Sequence, residues 1–169
     1  LGLGYPGGRI ISELAGRGDP DRIQFPRSYL DRDRFDFSFS GVKTAVRRHV
    51  ASRPEPPDEA AQADIAAGFQ EAVVDVLCDK VIGAARSTGC RRITLVGGVA
   101  ANARLRERVG AAADEAGFAL HLPPLSLCGD NAAMIAAAGT HDLERGTVGR
   151  LDDDVYSRGS GPPASGPAR

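Results

Sequence analysis

Between Arg92 and Arg106 the chain reads as a strand that runs into a double-glycine turn and then a helix: Ile93-Thr94-Leu95-Val96, Gly97-Gly98, and a helical stretch led by Asn102. Strand, tight turn and helix in immediate succession form a unit of α/β layered folds. The turn also carries chemistry. Glycines let the backbone come close to a ligand, and the start of the following helix favours negative charge. A nucleotide phosphate is the natural guest. No Gly-Lys-Ser/Thr follows, so this is not a Walker A loop, and the spacing is not the dinucleotide fingerprint. A plain tight connection accounts for the same residues.

The flanking segments extend the α/β pattern. A glycine-rich turn over residues 1–8 leads into a short helix with Ile10, Ile11, Leu14 and Ala15 on one face. Residues 35–41 alternate apolar and polar, which predicts a short strand or extended segment. Residues 43–50 read as helical. After a proline-rich loop over 52–57, Asp58 or Glu59 opens a long helix. Its stripe, Ile65, Phe69, Val73, Leu77 and Val81, recurs every fourth residue, with Ala72, Val76 and Ala84 widening it. Gly89 is placed to cap that helix. Asn102 is an N-cap for a helix through Ala116 that Gly117 ends. Residues 118–122 predict a second strand, stopped by Pro123 and Pro124. Gly129 or Asp130 then opens an alanine-rich helix to about Leu143. In such folds ligands sit beyond the carboxyl ends of strands. The Gly97-Gly98 turn and the turn before Asp130 both follow strands, so one cleft shared by them is expected. From residue 158 a Gly-Ser-Pro tail predicts disorder.

Composition removes several function classes. The 169 residues suit one domain or one lobe of a larger protein. The formal net charge of -1 gives no global attraction for nucleic acid. Locally, residues 21–50 hold seven Lys/Arg (Arg22, Arg27, Arg32, Arg34, Lys43, Arg47, Arg48) against four Asp. That excess fits a basic face toward RNA, or an ordinary solvated surface. Cys78, Cys90 and Cys128 are widely spaced and contain no Cys-x-x-Cys pair, which excludes a disulfide framework and a zinc knuckle and suits a reducing cytoplasm. No apolar run reaches the roughly 18 residues of a membrane span. His49, His121 and His141 lack metal-ligand spacing.

Four segments in series resemble one family. They are Gly-Tyr-Pro-Gly-Gly at 4–8, Phe-Ser-Phe-Ser-Gly-Val-Lys-Thr at 37–44, Gly-Gly-Val-Ala-Ala-Asn-Ala-Arg-Leu-Arg at 97–106, and Cys-Gly-Asp-Asn-Ala-Ala-Met-Ile-Ala at 128–136. In this order and spacing they resemble the carboxyl-terminal half of the tRNA threonylcarbamoyladenosine transferases, whose bacterial members are called TsaD. The resemblance covers residues 2 to about 155. It implies one lobe of a duplicated actin-like, sugar-kinase-like (RNase H-like) ATPase fold. The lobe would span 1–155, with 156–169 as tail and the amino-terminal lobe lying outside this chain.

The implied activity is transfer of a threonylcarbamoyl group from threonylcarbamoyl-AMP to N6 of adenosine 37 in tRNAs reading codons that begin with A. By the same resemblance, Gly8 and Asn102 contact the adenylate or adenine nucleotide, and Gly97 and Gly98 form the turn on its phosphate side. Asp130 is the one metal aspartate. The divalent metal, iron or zinc, would need two further histidines from an H-x-x-x-H motif, which these 169 residues do not contain. Further implied partners are tRNA and the paralogous and ATPase subunits of the modification complex, in the cytoplasm and without a membrane. Each residue also has a structural reading: Asp130 and Asn102 as helix caps, Gly8 as a turn, Cys128 as a packing residue. Ser38, Ser40 and Lys43 either line the cleft or form a strand edge. Position 129 is Gly where the family has Thr. With one metal ligand of three, the isolated chain is expected to be inactive. The alternative is a non-catalytic nucleotide-binding or partner-binding lobe. A metalloprotease reading finds no H-E-x-x-H helix.

Overall fold

Five helices and two short strands organise the described residues, 1–28 and 35–149, of the computed structural model. In chain order they are α1 (Gly7–Ala15), α2 (Ser40–Ala51), α3 (Glu59–Thr88), β1 (Arg92–Thr94), α4 (Ala103–Ala116), β2 (Ala119–His121) and α5 (Ala132–Glu144), with 3-10 turns at Gly98–Ala101 and Leu125–Leu127. The chain divides into two units, Leu1–Gly129 and Asp130–Arg169. The expected tail lies outside the described residues. Among them no helix is long and apolar enough to cross a membrane.

In the first unit α3 is the axis, in contact with α1, α2, α4 and β1. Its ends follow the sequence. The Asp58 carboxylate accepts the Ala61 N–H at 2.8 Å, and Gly89 closes the helix in the left-handed region at φ 68°. Around α3 sit three apolar clusters. Leu14 and Ala15 of α1 pack on Ala66 and Ala67. Phe25 and Val42 pack with Ile65 and Ala72. Val74, Cys78, Ile82 and Ala85 pack against Ile93, Leu105, Val109 and Ala113. All three cysteines are free, and burial pushes the Cys78 thiol pKa up.

Small residues in the first half of α3 are set by backbone contact. A Cβ at Gly68 would collide with the Ile23 carbonyl, and one at Gly18 with the Ala63 carbonyl. The 18–25 segment therefore lies directly on the helix.

β1 and β2 pair in parallel, Ile93 opposite Leu120, and α4 makes the crossover between them. This is the expected strand–turn–helix unit, and its α/β character holds. The strands are shorter than expected, three residues each, and within β1 only Ile93 is buried. Val96 is exposed because the pairing stops after Leu95, whose N–H donates to the His121 carbonyl at 3.1 Å.

Three further expectations change. The 35–39 segment pairs with no strand among the described residues, and α2 begins at Ser40 rather than at Lys43. The four-residue stripe on α3 is not its most buried face. Ile65 is fully buried and the widening residues Ala72 and Val76 are buried with it, whereas Phe69, Val73, Leu77 and Val81 are only partly covered and Val74 and Cys78, outside the stripe, are deeper. In the second unit, the cap of α5 is neither Gly129 nor Asp130 but Asn131. Its extended backbone lets the side-chain oxygen accept the Met134 N–H at 3.0 Å. No residue of α5 is buried.

Candidate functional site

The half-covered stripe has a purpose in the geometry: Phe69, Val73 and Leu77 floor an open cleft of about 560 Å³ in the first unit. One wall is the first half of α1, with Gly8, Arg9 and Ser12. The other is the turn after β1 and the start of α4, with Gly98, Val99 and Asn102. Three residues expected to face a nucleotide, Gly8, Gly98 and Asn102, thus meet in one cavity although they are far apart in sequence. Gly97 precedes the 3-10 turn beside it.

Asn102 joins the walls to the floor. Its side-chain oxygen accepts the Leu105 N–H at 2.9 Å, which caps α4. Its amide nitrogen donates to Gln70 Oε1 at 2.7 Å on α3 and to Ser12 Oγ at 3.3 Å on α1. The capping reading holds, and the same side chain latches three helices. One lone pair of its oxygen is left for a ligand. Beside it, Arg104 grips Glu71 in a bidentate pair at 2.7 and 2.8 Å. The Arg104 hydrogen bonds hold the Glu71 carboxyl below its ordinary range. That pair therefore stabilises the fold above the usual carboxylate pKa, and its contribution is lost as pH falls through the lowered value.

The glycines divide their roles. Gly97 adopts φ 87°, a conformation that L side chains rarely take, so the turn itself requires glycine there. Gly98 and Gly8 have ordinary backbones, and among the described residues a Cβ on either would meet nothing within 4 Å. They leave open space at the cleft. The helix end available to an anion is not the expected one. The 3-10 turn Gly98–Ala101 separates the glycines from α4, whose N-terminus Asn102 already caps. The N-terminus of α1, by contrast, has no side-chain cap, because it follows Pro6, and no acid in its first turn. Gly8 and Arg9 of its first turn line the cleft, at the positive end of the helix.

Ser12, Gln70 and the apolar floor went unread in the sequence. Gln70-Glu71 was the available signal: two adjacent polar residues interrupt the apolar run of α3, and both turn out to hold the start of α4. Arg106 was also missed. Its guanidinium donates to the Ala100 carbonyl, to the Pro123 carbonyl at 2.8 Å and to Cys128 Sγ at 3.0 Å. The loops after β1 and β2 are thereby tied together. Cys128 is buried, as a packing residue should be.

Asp130 belongs to the second unit, where its side chain is exposed. Among the described residues, no three His, Cys, Asp or Glu side chains gather into a group that could hold a metal. A lone exposed carboxylate does not by itself fit a divalent ion.

The basic segment sorts into two sets. Arg22 pairs with Asp64 at 3.6 Å and Arg27 with Asp75 at 3.0 Å. Arg32 and Arg34 lie outside the described residues. Lys43, Arg47 and Arg48 line α2, which contains no acid. Lys43 and Arg47 stand exposed one helical turn apart.

The family model for tRNA N6-adenosine threonylcarbamoyltransferase, TsaD, matches residues 1–137. The chain belongs to that family. Proteins named tRNA N6-adenosine threonylcarbamoyltransferase resemble it closely. The one from Desulforapulum autotrophicum is 56% identical over 158 residues, covering 94% of this chain and 47% of the relative. Those from Thermotoga neapolitana and Magnetococcus marinus are 51% and 49% identical, over 86% and 89% of this chain and 43% and 42% of their own lengths. The chain thus spans a little under half of these TsaD relatives.

Proposed function

We propose that this chain supplies the carboxyl-terminal lobe of a tRNA-modifying transferase with the duplicated actin-like fold. The lobe helps move a threonylcarbamoyl group from threonylcarbamoyl-AMP to N6 of adenosine 37 in tRNAs reading codons that begin with A. The observation that carries this reading is the convergence of Gly8, Gly98 and Asn102 on one cleft whose open helix end favours an anion. In this reading the uncapped start of α1 receives the phosphate, and Gly8 and Gly98 leave room for its close approach. The Asn102 oxygen accepts a hydrogen bond from the bound adenylate, and the apolar floor excludes water from the adenylate's other face. N6 of the adenosine attacks the carbamoyl carbonyl, AMP leaves with its phosphate, and the N6 proton is released.

Asp130 serves as a metal ligand, iron or zinc, only together with histidines from outside this chain. The protein works in the cytoplasm with paralogous and ATPase subunits, and the chain alone is inactive.

The test joins this chain to the amino-terminal half of a close relative and measures threonylcarbamoyl transfer to tRNA, with Asp130→Ala alongside. The expected result is transfer by the joined protein and its loss in the variant. A folded joined protein that binds AMP yet transfers nothing would point to a binding lobe and overturn the transferase reading.

A further inference from the structure

We infer that Phe37 and Phe39 form a stacking platform for unpaired RNA bases, with the adjoining phosphates running along Lys43 and Arg47 of α2. This rests on the tRNA reading above and names the surface that meets the single-stranded loop. The alternation Phe35-Asp36-Phe37-Ser38-Phe39 is the pattern of a strand with one apolar face, yet among the described residues that face lies against no sheet. Phe37 is 49% and Phe39 37% exposed. Their rings are stacked, parallel within 10° with centroids 6.0 Å apart, so one face of each is turned toward the other and the outer faces are left for a base to meet. More than a third of each residue's surface stays in water, so burial is left incomplete. A partner that covers the rings completes it.

The chemistry of that partner is written in the next turns of the chain. The Lys43 N–H donates to the Phe39 carbonyl at 3.1 Å, so Lys43 stands one helical turn beyond Phe39, and Arg47 one turn beyond Lys43. A line of two rings and then two cations results. No acid lies between Ser40 and Ala51, and neither cation makes an ion pair or side-chain hydrogen bond among the described residues. An apolar protein surface would satisfy the rings and leave both cations facing it unpaired. Single-stranded RNA satisfies both, because bases stack on aromatic faces while phosphates pair with Lys and Arg.

The experiment uses the whole chain and fluorescence anisotropy. Its probes are an RNA hairpin with a single-stranded adenosine-containing loop and a perfect duplex of the same stem. The Phe37→Leu/Phe39→Leu variant keeps apolar volume and removes the rings. It should bind the hairpin roughly tenfold or more weakly and leave duplex binding unchanged, since stacking is worth about 1–3 kcal/mol per base. Lys43→Gln/Arg47→Gln should weaken both probes and flatten the salt dependence by a slope of about 1–2. Hairpin affinity unchanged in the leucine variant, while the glutamine variant still loses affinity, would overturn the platform and leave the tRNA reading standing. Absence of RNA binding by a chain that still binds AMP would overturn both. If joining the amino-terminal half of a relative abolishes the effect of the leucine variant, the rings are covered by protein, and the platform is likewise overturned.

Discussion

The two halves of α3 carry similar residues and face different kinds of neighbour. In the second half, Val74, Cys78, Ile82 and Ala85 meet Ile93, Leu105, Val109 and Ala113 side chain to side chain. In the first half, Ala63 and Gly68 meet backbone: the carbonyl of Ala63 lies under Gly18, and the carbonyl of Ile23 lies over Gly68. Small residues there are not weak core formers. They are the condition for a loop to lie on the helix, and that loop carries Phe25 into the core beside Ile65 and Ala72. The cleft opens where the two modes meet, along Phe69, Val73 and Leu77. The lesson is that packing by backbone contact leaves no large apolar residue to reveal it.

The largest predicted effect breaks the first mode. Replacing a helix-interior glycine by alanine normally stabilises by up to about 1 kcal/mol. At Gly68 the sign reverses, because the new Cβ meets a carbonyl rather than a flexible side chain. Gly68→Ala should destabilise the chain by about 3 kcal/mol, at the upper end of overpacking costs. Urea unfolding reads this directly. A neutral or stabilising result would mean that the Ile23 segment does not lie against α3, and the contrast between the halves would collapse.

Legibility follows the same division. The ends of α3 and α4 were readable to within a residue, Asp58 or Glu59 at the start of α3 and Gly89, Asn102 and Gly117 at the other three, because such residues act through local hydrogen bonds or left-handed backbone. Gly8, Gly98 and Asn102 were legible as candidates for a nucleotide site, and their meeting in one cleft needed the fold. Periodicity misplaced the most buried face of α3. A helix surrounded by neighbours buries residues on several sides, so a four-residue stripe selects only one of them, and here it selects the floor of an open cleft. Residues 35–41 read as a short strand or an extended segment, because alternation records which side chains share a face, not what covers that face. At the start of α5, Gly129 or Asp130 was the expected opening, and the extended backbone at Asn131 makes that residue the cap instead.

Asn102 sits at the junction of the two halves, and its substitutions sharpen the comparison. Asn102→Ala removes the α4 cap and the donors to Gln70 and Ser12. The cap alone is worth about 1 kcal/mol, and the stranded partners bring the expected loss to about 1–2 kcal/mol. Asn102→Asp keeps an oxygen for the Leu105 N–H and removes both donors. It should recover most of the stability and still weaken AMP, because a carboxylate then faces the phosphate-side wall. Calorimetric titration of AMP beside thermal unfolding separates the two. Equal stability loss in both variants would show that the latch to α1 and α3, not the cap, holds the cleft together.

The smallest effect tests the second half of the helix. Among the described residues, a Cβ at Gly83 would meet only Phe35 Cε1, at 3.8 Å, an ordinary van der Waals contact. That contact does not oppose the intrinsic preference for alanine, so Gly83→Ala should stabilise by about 0.5–1 kcal/mol, or raise the melting temperature by about 1–4 °C. Run beside Gly68→Ala, it holds chemistry and helix constant and changes only the neighbour. Opposite signs would confirm that backbone contact sets the first half and side-chain packing the second. A destabilising Gly83→Ala would mean that something lies closer over this turn than Phe35, and the contrast would then be one of degree.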